Sequence, residues 1–185
     1  VRTDGQLLGF TYQREQQVTA WHRHIFGGSF GSGNAVCESV EVLPTDDSEY
    51  QVWVIVKRTI NGATKRYVEY LHNFAFDETD DTSFNYLDSQ LAYDGSATTS
   101  ISGLDHLEGE EVSVLADGAT HPNKTVSSGT ITLDRSSTKV KVGLPYVSLL
   151  QTMRIDAGAQ NGTSQSKTKR IYEITARLYE SIGIE

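Results

Sequence analysis

Hydrophobic and polar residues alternate in short segments along most of the chain. Segments rich in Val, Ile, Thr and Tyr are separated by clusters of Gly, Asn, Asp and Ser, a pattern typical of β-strands joined by turns. We therefore predict an all-β fold of antiparallel hairpin sheets, propeller-blade-like or sandwich-like, with a small β-barrel-like module. The strands are too few for a closed propeller, and helix should be scarce.

The clearest predicted element is a hairpin that joins residues 51–56 to residues 67–71 through Asn61-Gly62. Asn-Gly allows positive φ at both central positions of a type I′ turn, so it predicts a two-residue loop. Both faces of 52–56 are apolar, which predicts an interior strand covered on both sides. The turn fixes the register and pairs Ile60 with Ala63, Val56 with Tyr67, Ile55 with Val68, and Trp53 with Tyr70.

That register also gathers four cations near the hairpin tip. Lys57 faces Arg66 and Arg58 faces Lys65, so like charges oppose each other on both faces. In an acidic chain, such a cluster predicts contact with an acidic surface, either a neighbouring subunit or the phosphates of DNA in a channel. The alternative is a solvated hairpin end whose long side chains splay apart.

The whole chain, including the central hairpin, divides into three predicted regions. Before the central hairpin, residues 7–12 and 18–24 form a hairpin around a polar turn, and strand 38–43 ends at Pro44. The acidic stretch 77–81 marks a boundary. The regions are residues 1–76, an antiparallel β-hairpin sheet region; residues 77–150, a small β-barrel-like module; and residues 151–185, a returning β-hairpin that packs on the first region.

Shorter strands are predicted in the second region, separated by turns at Asp117-Gly118 and 134–137. Near the end of the chain, residues 170–180 fit both the alternation of a strand and one face of a helix. Their β-branched residues favour a strand. The strands of the second region are 97–101, 111–115, 129–133 and 139–142.

Composition limits the function classes. The formal charge of −8 and a pI near 5.1 argue against a broad surface that grips phosphates, although an acidic conduit would let DNA pass without holding it. The single cysteine, Cys37, excludes an internal disulfide and reads as a packing residue. No apolar run approaches the ~20 residues of a membrane helix, so we predict no membrane anchor. No signal peptide opens the sequence, and we take it as a fragment of a longer chain.

Three short patterns suggest catalytic or metal chemistry. Residues 27–31 match G-x-S-x-G, but a nucleophile elbow needs a helix after the serine, and a strand is predicted there instead. His22 and His24 lie on one strand face and could share a zinc ion, yet no third ligand lies nearby in sequence. The acidic run 77–81 could hold calcium but lacks the spacing and the glycine of an EF-hand loop.

A further acidic group, Glu108, Glu110 and Glu111, fits a polar turn beside a strand better than a pair of catalytic carboxylates. With no motif that requires a nucleophile, an acid-base pair or a nucleotide, we predict a protein that is not an enzyme. We predict no catalytic residue, no metal site and no cofactor.

Several segments resemble a known family. They are GFTYQREQQVTAWHRH (9–24), VWVIVKR (52–58), YVE (67–69) and ISGLDHLEGEEVSVLADG (101–118). In this order, across nearly the whole chain, they are similar to segments of tail nozzle or packaged-DNA stabilisation proteins of short-tailed bacteriophages. Residues 103–118 also resemble a small β module named after the first catalytic cysteine half-domain of ubiquitin-activating enzymes. Cys37 lies outside that module, so no ubiquitin chemistry carries over.

This resemblance implies a structural component of a phage tail nozzle or hub. Such a protein forms a ring of identical copies, hexameric in this family, below the portal. It helps to retain packaged DNA, which passes as cargo, and it contacts the portal or head-tail adaptor and the tail spikes or fibres. The implied location is the virion, after synthesis in the bacterial cytoplasm from a phage or prophage genome. The family is defined by architecture, so the resemblance assigns no individual functional residue.

A second function class stays open. The chain could be a carbohydrate- or receptor-binding β module of an adhesin, in which exposed Trp21, Tyr12 or Tyr93 stacks on a ligand. A glycan array separates this class from a structural assembly component. An enzyme is the third class.

Overall fold

In a computed structural model, the chain is described over residues 1–45, 49–72, 85–149, 151, 168 and 170–177. These residues form antiparallel strands and one 3₁₀ turn and contain no α-helix, so the predicted all-β fold is confirmed. They divide into two compact units, Val1–Val147 and Ser148–Glu185, and every strand described lies in the first unit. No helix among these residues is long and apolar enough to cross a membrane.

In chain order, the strands are β1 (Leu7–Gln13), β2 (Val18–His24), β3 (Ser29–Phe30), β4 (Gly33–Asn34), β5 (Val36–Pro44), β6 (Tyr50–Ile60), β7 (Ala63–Tyr70), β8 (Asp88–Ser102), β9 (Glu111–Ala116), β10 (Ala119–Thr125) and β11 (Thr130–Leu144). They form four small sheets: a β1-β2 ribbon, a β3-β4 hairpin, the three-stranded β5-β6-β7 and the four-stranded β10-β9-β11-β8. Within the described residues, the four-stranded sheet does not close into a barrel, and β10 and β8 are its edges.

The β6-β7 hairpin has the predicted turn and register. Asn61 and Gly62 have φ of 48° and 71°, as a type I′ turn requires, and all the predicted cross-strand pairs are present. The prediction of full burial is wrong for one face of β6. Val54 and Val56 are buried, but Ile55 on the opposite face is 36% exposed. Strand β6 is the central strand of its sheet. One of its faces is covered and the other is open.

Two hydrophobic clusters hold the first unit together. The first lies under the three-stranded sheet, where Cys37 is buried and packs as a small apolar side chain; burial raises the pKa of its thiol. The second lies within the four-stranded sheet and includes Ile60 from the tip of the β6-β7 hairpin. The first cluster consists of Leu7, Phe26, Ala35, Cys37, Val54 and Val56. The second consists of Ile60, Ile101, Leu104, Leu107, Val112, Val114, Ala116, Val126, Ile131, Leu133, Val140, Val142 and Leu144.

The four-stranded sheet differs from the prediction in three strands. Strand β8 begins at Asp88, nine residues before the predicted strand 97–101. Residues 134–137 do not separate two strands; they lie inside the single long strand β11, where its pairing with β8 shifts between Thr132 and Ser137. Such a bulge bends a strand without ending it. Strand β10, which contains Pro122, was not predicted from the sequence. A proline fits there because β10 is an edge strand and its register shifts between His121 and Lys124.

The predicted regional boundaries remain predictions. The acidic stretch 77–81 lies outside the described residues, so the division between 1–76 and 77–150 is not visible there. Most of the predicted hairpin 151–185 also lies outside them. The described residues in this range, 151, 168 and 170–177, form neither a strand nor a helix.

Candidate functional site

Arg58 of the predicted basic tip lies in the interior of the protein. Its side chain has 0% exposure, and its guanidinium donates to both carboxylate oxygens of Glu69 at 2.5 and 3.0 Å. Its Nε donates to the carbonyl of Gly27 at 2.8 Å. Two charge-assisted hydrogen bonds to Glu69 and one to a backbone carbonyl offset the desolvation cost of burying the guanidinium. The expectation that Arg58 faces a partner at the surface is therefore corrected.

Lys57 and Arg66 share an internal partner. Glu38 lies at the bulge of β5, between Cys37 and Ser39, and its carboxylate contacts Lys57 at 3.0 Å and Arg66 at 2.7 Å. Hydrogen bonds from Arg66 and, to a smaller extent, from Lys57 lower the pKa of Glu38. The same bond to Glu38 raises the pKa of Arg66. This carboxylate offsets the repulsion between the two cations that the register places opposite each other.

The end of the basic hairpin contacts another part of the same chain. Ile60 is buried in the second hydrophobic cluster, and the Asn61 backbone N–H donates to Glu110 at 3.4 Å. The Tyr67 hydroxyl donates to the carbonyl of His106 at 2.6 Å. Lys65 is exposed and forms no ion pair within the described residues. The predicted contact with a subunit or DNA remains a prediction, and Lys65 is the cation placed to make it.

The G-x-S-x-G segment serves packing, and it forms no nucleophile elbow. Ser29 lies in the two-residue strand β3, and β4 follows it instead of a helix. Gly28 has φ of 86°, and an added Cβ would lie 3.1 Å from the Arg58 side chain. The Gly27 N–H donates to Asp88 at 2.6 Å, and burial raises the pKa of that carboxyl. Gly28 thus allows close approach of the backbone to the buried Arg58, and a Cβ at Gly27 would meet the carbonyl oxygen of Pro145 at 2.7 Å.

Within the described part of the chain, the candidate zinc ligands His22 and His24 have no third ligand. The rings of His22 and His24 are 5.0 Å apart, and burial, followed by the nearby His22, lowers the pKa of His24. Among the described residues, no group of three or more His, Cys, Asp or Glu could hold a metal ion. The calcium candidates at 77–81 lie outside those residues.

The acidic group at 108–111 binds backbone and side-chain donors of its own chain. Glu108 accepts from the N–H groups of Ser128 and Gly129 at 2.9 and 2.8 Å, and these bonds lower its pKa. Glu111 accepts from the Asn123 amide at 3.0 Å. These contacts are those of a polar turn beside a strand, which is how the sequence was interpreted.

The β1-β2 ribbon carries an exposed aromatic face. Phe10 pairs with Trp21 across the ribbon, with ring centroids 4.6 Å apart, and Tyr12 lies 6.4 Å from Phe10 with nearly parallel rings. Trp21 is 73% exposed and Tyr12 is 64% exposed. Alternation along the strands places Leu8 and Arg23 on the same face. We call this set, Leu8, Phe10, Tyr12, Trp21 and Arg23, the aromatic ribbon face.

A second exposed apolar surface lies on the open side of the three-stranded sheet. Trp53 and Tyr70 pair across β6 and β7 with ring centroids 5.3 Å apart, and Val68, opposite Ile55, is 68% exposed. Glu41 of β5 is paired with Trp53 of β6, and its side chain is exposed. We call this set, Glu41, Trp53, Ile55, Val68 and Tyr70, the open sheet face. At the other end of this side, Lys57 lies over the ring of Phe30, 4.3 Å from its centroid.

Of the three aromatic residues proposed to stack on a ligand, Trp21 and Tyr12 are exposed, but Tyr93 is partly buried. Tyr93 packs against the second hydrophobic cluster, and its hydroxyl donates to the carbonyl of Ser96 at 2.8 Å. Three further exposed residues were not predicted from the sequence: Phe10, Val68 and Tyr70. Strand alternation groups each of them with its neighbours, but it does not show which side of a sheet is covered.

No protein-family model matches this chain, and no curated protein matches it.

Proposed function

We propose that this chain is a non-catalytic assembly module of a phage tail nozzle or packaged-DNA stabilisation protein, located in the tail of the virion. The segments quoted above suggest the family. In that role, copies of the chain join in a ring that contacts the portal or head-tail adaptor and the spikes or fibres.

The exposed apolar side chains of the aromatic ribbon face and the open sheet face carry this proposal. Monomeric proteins rarely expose contiguous apolar patches of large side chains, and such patches with polar edges mark interaction sites. A two-stranded ribbon is also marginally stable by itself. Trp21 at 73% exposure and Val68 at 68% exposure are side chains that an assembly would remove from water.

The charge of the chain is compatible with DNA as passing cargo. The net charge is −8, and among the cations of the basic tip Arg58 is buried against Glu69, while Lys57 and Arg66 bind Glu38. A surface of this kind repels a phosphate backbone more than it grips it. We therefore expect weak binding of duplex DNA to the isolated chain, which an electrophoretic mobility shift assay at low salt measures.

Immunoelectron microscopy of virions tests the assignment. An antibody raised against this chain should label purified particles of the source phage, or of its induced prophage, at the tail. The same antibody absorbed with the chain should give no labelling, which is the control. Particles without label at the tail would exclude the proposal.

The second candidate is a carbohydrate-binding module, and the aromatic ribbon face supports it. The rings of Phe10 and Tyr12 are stacked at 10° to each other, and Trp21 lies beside Phe10 on the neighbouring strand with its ring tilted by 43°, so sugar rings could lie on this exposed aromatic surface. A glycan array with wild-type protein and Tyr12→Ala tests it. Specific binding lost in Tyr12→Ala and kept in a Tyr50→Ala control would favour this candidate over the assembly module.

A further inference from the structure

We infer that the aromatic ribbon face of one copy docks on the open sheet face of another copy. This inference rests on the proposed function, because it names the contact that joins the copies. It links two different surfaces of the chain, so the contact is head-to-tail. Contacts of this type generate a closed ring when the rotation between copies closes.

Among the described residues, no segment packs on the aromatic ribbon face. Both strands of the ribbon expose most of their side chains, and Leu7 at its base anchors it in the first hydrophobic cluster. The Phe10-Trp21 pair holds the two strands together but leaves Trp21 largely in water. A third strand or a packed face is what normally stabilises such a hairpin.

The open sheet face has the shape and chemistry to receive the ribbon. It is a three-stranded antiparallel surface whose centre is apolar, with Trp53, Ile55, Val68 and Tyr70. Two antiparallel surfaces pack face to face at a spacing of about 10 Å, with side chains that interdigitate. The ribbon is narrower than the sheet by one strand, so the sheet can cover the whole aromatic face.

At the Trp53 end of the open sheet face, charge favours the ribbon-to-sheet contact over contacts between like surfaces. At the other end of the same side, Lys57 and Arg66 are already paired with Glu38. Arg23 lies beside the aromatics of the ribbon, and Glu41 lies beside Trp53 on the sheet; neither forms an ion pair within the described residues. Docking the ribbon on the sheet lets these two charges approach each other. A contact between two ribbons would instead collect Arg23 residues, and one between two sheet faces would collect Glu41 residues, and like charges disfavour both.

Mixing of complementary variants tests the inference. Chains with Tyr12→Ser and Trp21→Ser keep an intact sheet face, and chains with Val68→Ser and Tyr70→Ser keep an intact ribbon. In sedimentation velocity at up to about 100 μM, which detects micromolar dissociation constants, wild type should self-associate. Each variant alone should associate about 30-fold more weakly or worse, as for a lost aromatic anchor. An equal mixture should form a complex of one chain of each kind and stop there.

Matched controls lie on the opposite sides of the same elements. Val18 is exposed on the other side of the ribbon, and Val42 is exposed on the other side of the sheet. Val18→Ser and Val42→Ser should associate as wild type does. Far-UV circular dichroism of every variant checks that the strands are retained.

A charge swap tests the same contact without removing aromatic packing. Arg23→Glu or Glu41→Arg should weaken association by about 2- to 5-fold, as expected of an exposed ion pair. Both changes in one chain should restore it. This pair of variants keeps the test decisive if Trp21→Ser disturbs the ribbon, since Arg23 and Glu41 are exposed and leave the Phe10-Trp21 contact in place.

Four results would overturn the inference: a monomeric wild type, a mixture that stays monomeric, association of the ribbon-blocked variant alone, or association of the sheet-blocked variant alone. The last two indicate contacts between like surfaces. Failure of the proposed function is separate. If the antibody labels the tail and any of these four results is obtained, the proposed function stands and the proposed contact is rejected. If the variants form the ribbon-to-sheet complex but the antibody does not label the tail, the contact stands and the proposed function is rejected.

Discussion

Replacement of Arg58 by Met should cost more stability than any replacement at the other three basic positions of the hairpin. Arg58 is fully buried and satisfies Glu69 and the Gly27 carbonyl at once. Arg58→Met removes the charge, keeps much of the volume and leaves the Glu69 carboxylate without its partner. Removal of one partner of a buried ion pair destabilises a protein by about 3–5 kcal/mol.

A double variant separates the two parts of this loss. In Arg58→Met combined with Glu69→Leu, no unpaired carboxylate remains, and apolar replacement of a whole buried pair is often close to neutral. The Gly27 carbonyl still lacks the Arg58 Nε donor, and an unpaired buried carbonyl costs about 1–3 kcal/mol. We therefore expect the double variant to be more stable than Arg58→Met and less stable than wild type by about 1–3 kcal/mol.

Urea denaturation at pH 7 measures these differences, with Trp53 on the same hairpin as the fluorescent reporter. Lys57→Met is the matched control, because Lys57 bonds to Glu38 in a pair whose side chains are 19% and 29% exposed. Its loss should be within about 1 kcal/mol. A loss in Arg58→Met no larger than that in Lys57→Met would refute the argument that the buried pair is a main support of the fold.

Three further predictions concern the turn, the acidic loop and the exposed cation. Gly62→Val should destabilise the protein by about 1 kcal/mol or more, because Gly62 has φ of 71°, which a β-branched residue resists. An added Cβ would meet no atom within 4 Å, so the cost is backbone strain and not a clash. Thermal melting measures the loss, and Asn61→Gly is the control that the turn should tolerate. The pKa of Glu108 is lowered in the folded protein, so its stabilisation is present above the unfolded value of about 4.3 and is lost as pH falls through the lowered pKa. Denaturation at pH 7 and in acid should then show a smaller loss of stability on acidification for Glu108→Gln than for wild type; equal losses would contradict the assignment. Lys65→Glu should keep the stability within about 0.5 kcal/mol, as for a surface residue. If Lys65→Glu prevents ring assembly of the full-length protein, Lys65 contacts a neighbouring subunit. If it lowers the retention of packaged DNA, more so at low salt, Lys65 contacts DNA. If both ring assembly and DNA retention are normal, the hairpin end is solvated.

The sequence by itself determined the local geometry of the central hairpin. Asn61-Gly62 accepts positive φ at both positions, and a two-residue turn leaves only one register for the strands that it joins. The alternation of side chains then groups Val54, Val56 and Arg58 on one face with Glu69. A basic residue in line with two core valines, on the face that carries Glu69, was the signal that could have identified the buried pair.

The tertiary structure decided which face of each sheet is covered and which charges meet. Strand alternation assigns side chains to sides, but burial depends on what packs against a side, and that comes from segments distant in the sequence. The Gly27 carbonyl reaches Arg58 from outside its hairpin, and Asp88 accepts from the Gly27 N–H. The bulge at Glu38 turns a carboxylate toward Lys57 and Arg66. The same reason explains the open face at Ile55 and the partial burial of Tyr93, because each depends on the presence or absence of a packing partner that local patterns do not encode.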